Sequence, residues 1–226
     1  MLAYRHPYIA QEGWLFIGCL LILNLLLSYW LKNIWATPGW LLFVFSLVMY
    51  RDPNRVIPSL PLALVAPVDG KVSLIEKTVD PYIERQAWRI VITMNPFNVL
   101  SARSPTEGKV MNQWHGMKHE NPNARESAKA SRHRFAQWVQ TDEGDNVVMS
   151  VQQRYAIPRS RCYVQSGERI GQGQRCGYLS LGAVVEVYIP ENSRVDVEVG
   201  QRVRAGSQVI GTLVHTPHST MAETST

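Results

Sequence analysis

Two uncharged apolar runs open the pattern along this chain. Gly13 to Leu31 holds 19 residues without a charge, with Leu20, Leu21, Ile22, Leu23, Leu25, Leu26 and Leu27 at its centre. Lys32 and Asn33 interrupt, and Ile34 to Tyr50 follows as 17 more uncharged residues. About 20 apolar residues span the hydrocarbon core of a bilayer, so the first run predicts a transmembrane helix. Together the runs predict a helical hairpin that crosses twice or dips in and returns. Pro38 and Gly39 are expected to shorten the straight part of its second helix. Trp14, Trp30, Trp35, Trp40 and Tyr50 stand near the ends, where interface aromatics belong. A buried soluble hairpin is the competing reading, but so much uncharged sequence exceeds what a small domain buries. A signal peptide fits poorly, because no small-x-small site follows. Arg5 precedes the hairpin, Lys32 lies at its tip, and Arg51 and Arg55 follow it, so both flanks are expected on the cytoplasmic side.

After Arg51 the pattern changes to short runs rich in β-branched residues, punctuated by Gly and Pro. Lys71-Val-Ser-Leu-Ile, Arg89-Ile-Val-Ile-Thr, Asn146-Val-Val-Met-Ser-Val, Val184-Val-Glu-Val-Tyr-Ile and Val195-Asp-Val-Glu-Val predict strands of a sandwich or barrel. Val184 to Ile189 is read as an alternating strand, and only Asn123 to Trp138 has helical composition. Ala66-Pro-Val-Asp-Gly-Lys-Val is echoed by Ser104-Pro-Thr-Glu-Gly-Lys-Val. Val164-Gln-Ser-Gly-Glu-Arg-Ile-Gly is likewise echoed by Val199-Gly-Gln-Arg-Val-Arg-Ala-Gly, with one gap adjusted. Paired echoes of this form occur in barrel-sandwich hybrids such as biotinyl and lipoyl carriers. A carrier displays a lysine between its paired motifs, and Ser180 to Glu198 contains none. The chain therefore divides into a membrane anchor (1–52), a mainly β domain (53–214) and a flexible tail (215–226).

Charge adds one feature. The formal net charge is +5. Basic residues outnumber acidic ones between Arg103 and Arg134, with His115, His119 and His133 interleaved. Beside a membrane anchor this suits an anionic phospholipid surface. A solvated charged face is the plainer reading, and nucleic acid is set aside because no nucleic-acid-binding motif is present. Cys19, Cys162 and Cys176 form neither a C-x-x-C pair nor a ligand set, and no disulfide framework is expected. His115 and His119 would share a face on a helix, but Gly116 weakens that helix and no third ligand is fixed. No metal is expected, nothing opposes homo-oligomerisation, and no G-x-S-x-G elbow supports a hydrolase triad.

Five segments in register resemble the short, membrane-anchored phosphatidylserine decarboxylases of prokaryotes. Tyr50-Arg-Asp-Pro-Asn-Arg-Val-Ile-Pro resembles their F-R-D-P-x-R-x-x-P, and Val65-Ala-Pro-Val-Asp-Gly-Lys-Val their A-P-x-D-G-x-V. Met94-Asn-Pro-Phe-Asn-Val with Arg103-Ser-Pro-Thr-Glu-Gly-Lys-Val resembles M-S-P-x-D-V-H-x-x-R-x-P-x-x-G-x-V. Gly167-Glu-Arg-Ile-Gly and Gly182-Ala-Val-Val-Glu-Val-Tyr-Ile-Pro resemble G-x-x-x-G and G-S-x-V-x-V-x-x-P. The resemblance implies a barrel-sandwich-hybrid-like, mainly β fold on an N-terminal transmembrane helical hairpin, placed on the cytoplasmic side of a bacterial inner membrane. It also implies a phospholipid substrate and a pyruvoyl group, made when a serine after a glycine attacks the preceding carbonyl and becomes a ketone at a new N-terminus.

Carried over residue by residue, Asp69 falls at the family's aspartate and Gly182 at the glycine before the cut. The serine position holds Ala183, which has no oxygen with which to attack. The position of the family's histidine holds Leu100. Arg103 and His115 are the residues expected to meet lipid. Ser180 and Cys176 carry nucleophiles nearby, but Ser180 is three residues early and follows Leu179. The expectation is a degenerate homologue of phospholipid metabolism that lacks decarboxylation and needs no cofactor, serving to bind lipid, regulate or scaffold. The alternative is a working, pyruvoyl-dependent decarboxylase making phosphatidylethanolamine. It requires that Ala183 replace a native serine, or that processing occur elsewhere.

Overall fold

The structure is a computed structural model that describes residues 7–30, 33–115, 134–153, 161–179 and 183–214. Two helices come first, α1 (Gln11–Trp30) and α2 (Asn33–Met49). At 1.5 Å per residue α1 is about 30 Å long, the thickness of a bilayer core. Among the described residues it is the one helix long and apolar enough to cross a membrane, and α2 is a shorter apolar helix. Leu15, Ile22, Leu23, Leu25 and Leu26 of α1 are exposed, as are Leu41, Leu42 and Val44 of α2. The two pack side by side, and Ala10 N–H donates to the carbonyl of Tyr50 (2.8 Å), so the hairpin begins and ends at one place.

The expectation that Pro38 shortens α2 is corrected. It lies inside the continuous helix, near the N-terminal end. A proline there removes the single bond to the carbonyl four residues earlier. Gly39 matters more. Asn24 of α1 is buried and donates from Nδ2 to Gly39 O (3.1 Å) and to Leu20 O (2.9 Å). A Cβ on residue 39 would run into the Asn24 amide, whereas Gly18 has nothing within 4 Å of such an atom. Gly39→Leu should therefore break the interhelical bond, losing on the order of 1 kcal/mol, and weaken the hairpin against detergent denaturation. Gly18→Leu is the control. Equal detergent sensitivity of the two variants would show that the Asn24 contact does not hold the helices.

The rest is β. An eight-stranded, curled, half-barrel-like sheet contains β2 (Gly70–Val79), β3 (Gln86–Thr93), β5 (Gly108–His115), β6 (Arg134–Gln140), β7 (Asn146–Gln153), β9 (Arg169–Ile170), β11 (Ala183–Pro190) and β13 (Arg202–Val203). Its order is β13-β2-β3-β11-β7-β6-β5-β9. Two three-stranded sheets complete the fold. One has β1 (Ala63–Val65), β14 (Val209–Thr212) and β12 (Arg194–Val195) in that order. The other has β4 (Ser101–Arg103), β10 (Arg175–Tyr178) and β8 (Arg161–Cys162) in the same arrangement. The main core lies between them, where Val72, Ile90, Ile92, Val110, Val151, Val185 and Val187 of the long sheet meet Leu64, Ala102, Cys176 and Ile210.

The sequence echoes are the halves of this arrangement, related by a pseudo-twofold between β7 and β11. Val65 N–H donates to Pro105 O (2.9 Å), and Arg103 N–H donates to Pro67 O (2.8 Å). Val72 exchanges bonds with Gln201 and Gly200 as Val110 does with Glu168 and Gly167. Gly173 and Gly206 occupy matched turns at φ of 67° and 69°, a region that favours glycine.

Two expectations about strands are corrected. Residues 134–138, read as helical, belong to β6, because Phe135 and Trp138 pair across to Val151 and Val148 in the sheet interior; residues 123–133 lie outside the described residues. Val195 to Val199 contributes only Val195 to the two-residue β12, the strand ending there. β11, read as an alternating strand, does alternate, and it is buried on both faces. Val185, Val187 and Ile189 enter the main core, while Glu186 and Tyr188 are covered on the other face. There the sheet curls under the Asp80–Arg85 turn, and Tyr82 meets the rings of Tyr188 (6.1 Å) and Trp114 (5.1 Å).

Candidate functional site

Three strands end together beneath the anchor. β2 starts at Gly70, β3 ends at Thr93, and β11 starts at Ala183, so Lys71, Thr93 and Val184 form one row across the sheet. Asp69, just before β2, and Ala183, at the start of β11, thus lie on either side of β3, two strand spacings or roughly 10 Å apart. The 94–100 loop ties them. Met94 N–H donates to Ala183 O (2.9 Å), Asn98 Nδ2 donates to Asp69 O (2.9 Å), and Leu179 N–H donates to Leu100 O (2.6 Å). Gly182 and Ser180 lie outside the described residues, as do His119, His133 and the tail 215–226.

The Asp69 carboxylate is fully engaged. Arg55 grips both of its oxygens, with Nη2 to Oδ2 at 2.6 Å, and Ala205 N–H donates to Oδ1 (2.8 Å). Arg55 is the second arginine of the Tyr50-to-Pro58 segment, so one quoted motif clamps another. Ala183 is buried, with its methyl in the main core. Leu100 is buried against Ala10 and Tyr178, with Met49 and Tyr50 beside them, and so meets the foot of the anchor. Cys176 is buried in the main core. His115 is exposed at the end of β5, its ring 5.2 Å from Phe135. It stands at the same end of the sheet as Ala183, three strands away.

Arg103 is buried at 3% exposure and holds an internal position. Its Nη2 donates to Asp52 Oδ1 (3.2 Å) and Pro53 O (3.2 Å), and its Nη1 donates to Gly173 O (3.3 Å). Asp52 also accepts from Ser101 Oγ (2.9 Å) and pairs with Arg175 Nε at 3.4 Å, while Arg175 reaches Glu12 at 2.7 Å. Two carboxylates and two guanidiniums thereby lock the anchor to the β domain. Stacked rings of Tyr50 and Tyr178 (6.2 Å) and an edge contact of Phe45 with Phe97 (6.4 Å) complete the joint. Burial pushes the Tyr178 phenol well above its ordinary pKa, with Tyr50 and Glu12 adding to the effect. Phe97 belongs to the 94–100 loop, so that loop sits against α2, at the edge of the apolar hairpin.

Sequence reasoning missed Asp52, Arg55, Arg175 and Glu12 as partners. The available signal was charge in an otherwise apolar stretch, namely Arg51-Asp-Pro-Asn-Arg directly after the hairpin. On the far face of β11, Arg89 donates to Glu186 (2.5 Å) and Glu76 (2.8 Å), and Tyr188 donates to Glu186 (2.9 Å). Burial opposes the Arg89 charge, but Glu186, Tyr188 and Glu76 together outweigh it and raise the pKa. The two faces of β11 are thus chemically unlike. A three-residue register shift to use Ser180 would push Glu186 into the apolar core.

Ala183, where the resemblance puts the serine that would become a pyruvoyl group, carries no side-chain oxygen to fit that group. Among the described residues no group of three His, Cys, Asp or Glu side chains could hold a metal.

Comparison with known proteins gives a consistent result. The family model described as phosphatidylserine decarboxylase matches residues 42–211. A phosphatidylserine decarboxylase proenzyme of Nitrosomonas europaea is 37% identical over 207 residues, covering 92% of this chain and 96% of the relative. Proenzymes of the same name from Aromatoleum aromaticum and Burkholderia ambifaria are 36% and 38% identical over 210 residues, each covering 93% of this chain and 98% of the relative. No solved structure matches the chain.

Proposed function

This chain belongs to the phosphatidylserine decarboxylase family, and from that premise we propose that it is a member that neither cuts itself nor forms a pyruvoyl group. It keeps the family's framework at a phospholipid membrane and serves to bind lipid, regulate or scaffold. One observation carries the reading: the methyl of Ala183, buried at the start of β11, where the family's motif has its serine. Self-processing needs a nucleophilic oxygen on that residue and a base to take its proton. Ala183 lacks the first, and Leu100 stands where the resemblance puts a histidine. Asp69, the remaining member, spends its carboxylate on Arg55 and the Ala205 N–H.

The relatives are bacterial, and the reading places this protein in a bacterial inner membrane. The hairpin returns to its starting side, so the β domain shares a side with residues before α1. Arg5, Arg51 and Arg55 against Lys32 favour the cytoplasm. Anionic lipid is the expected surface. Of the two residues expected to meet it, His115 is exposed, while Arg103 is turned inward to Asp52.

Intact-mass spectrometry of the purified full-length chain tests the reading. A single species at the full 25.6 kDa is expected, and no fragment that starts at residue 183. A carbonyl-blocked fragment from that position would overturn it and restore the working decarboxylase.

A further inference from the structure

The anchor covers one flank of the β domain, at Leu100, Tyr178 and Arg175. The pseudo-twofold carries this flank onto β14 and its neighbours, where Thr212 takes the place of Tyr178. That second flank is open. It holds a cleft of about 860 Å³ lined by Arg194, Asp196, Arg202, Arg204, Ser207 and Thr212, among others.

We propose that this cleft binds a phosphate-bearing anion, held by Arg202 and Arg204 with Arg194 at its rim. Val203 is buried at 3% exposure, and strand alternation then sends its neighbours Arg202 and Arg204 outward on the same side. Neither guanidinium has a hydrogen-bond or carboxylate partner among the described residues. Apart from Arg51, every other arginine whose side chain is described has a carboxylate within 4.0 Å. Arg51 apart, the pairing of the described arginines is therefore complete outside this cleft and open within it. Asp196 does not fill the gap. Its Oδ1 accepts from Arg194 Nε (2.6 Å) and its Oδ2 from Thr212 Oγ1 (2.6 Å), an arrangement that braces Arg194 at the cleft edge.

Two unpaired guanidiniums two residues apart suit a tetrahedral dianion. Each presents a planar fork of donors, and Arg–phosphate pairs are commonly bidentate. The cleft lies at the far edge of the row that holds Val184, with Arg202 beside Lys71 and three strand spacings from β11, and the inference holds whether or not residue 183 can be processed. It also touches the Ala183 end through the chain. Arg204 precedes Ala205, whose N–H holds Asp69, and Gly206 lies against Arg103. An anion on Arg204 would steady the turn that grips Asp69.

The phosphate can belong to a lipid headgroup or to a soluble ion, and calorimetric titration of the detergent-solubilised full chain separates them. The probes are dihexanoyl phosphatidic acid, dihexanoyl phosphatidylcholine and inorganic phosphate. Arg202→Gln/Arg204→Gln is compared with wild type and with Arg51→Gln, all checked for equal thermal unfolding. Saturable binding of phosphatidic acid or inorganic phosphate is expected, weakened roughly tenfold or more by the double substitution and unchanged by Arg51→Gln. Tighter binding of phosphatidic acid than of phosphate identifies a lipid source, and equal binding identifies the bare anion. Absence of saturable binding, retention of full affinity in the double variant, or equal affinity for the zwitterionic lipid would each overturn the site.

Discussion

Ala183→Ser is expected to leave the chain uncut, running as one species of 25.6 kDa. The substitution returns an oxygen to the family's serine position but not the means to activate it. A serine hydroxyl is a weak nucleophile until a base removes its proton, and a positioned base contributes about 10²–10⁴-fold. Asp69 is held by Arg55 and the Ala205 N–H, and Leu100 offers only methyl groups to its surroundings. Adding Leu100→His to Ala183→Ser is expected to raise the cutting rate by about 10²–10⁴-fold over the single variant, read by mass spectrometry of the fragment starting at residue 183. Tyr178 and Ala10 must make room for the ring, so thermal unfolding should accompany the measurement. Should the single variant cut as fast as the double one, Leu100 is not a second lesion, and the loss reduces to one hydroxyl.

The largest stability effect is expected at Asp52. Its carboxylate, 1% exposed, faces Arg103 and Arg175, themselves almost wholly buried. Asp52→Leu removes the acid and leaves the two guanidiniums with Glu12 alone, and breaking a buried pair costs about 3–5 kcal/mol. For a domain of this size that is a fall in Tm of roughly 6–20 °C. Ser101 Oγ would lose its acceptor as well. The joint to the anchor should loosen with it, exposing the stacked Tyr50 and Tyr178 rings and raising protease sensitivity between the hairpin and β1. Glu191→Gln is the control. Its pair with Lys77 is half exposed on both sides, and such pairs contribute about 0–1 kcal/mol. A Tm for Asp52→Leu equal to that of Glu191→Gln would mean that the rings and backbone bonds, and not the ionic lock, hold the anchor.

The hairpin was legible because the length of an uncharged run is a property of consecutive residues. So were the strands that alternate β-branched residues, and so was the duplication, whose echoes became matched turns about the β7–β11 pair. That residue 183 carries no hydroxyl is also local, since it is a matter of covalent structure alone. Misreadings came where burial decided the outcome. Phe135 to Trp138 has helical composition, yet strands on either side of β6 recruit it. The alternation of Val184 to Ile189 likewise did not indicate that the curl of the sheet closes over Glu186 and supplies Arg89.

What tertiary structure alone decided is who meets whom. Nothing in the spacing of Asp52, Arg103 and Arg175, or of Glu12 and Arg175, indicates that they share one buried joint. Asp69 likewise has a chemical type that suits a base, and only the fold brings Arg55 and Ala205 onto its oxygens. Sequence periods of 2 and 3.6 follow from backbone geometry, which each residue carries with it. The pairing of charges depends on where loops return the chain after many residues, and that is set by packing of the whole core. The absence of a side-chain oxygen at residue 183 was therefore written along the chain, while the contacts that hold Asp52 and Asp69 came from the fold.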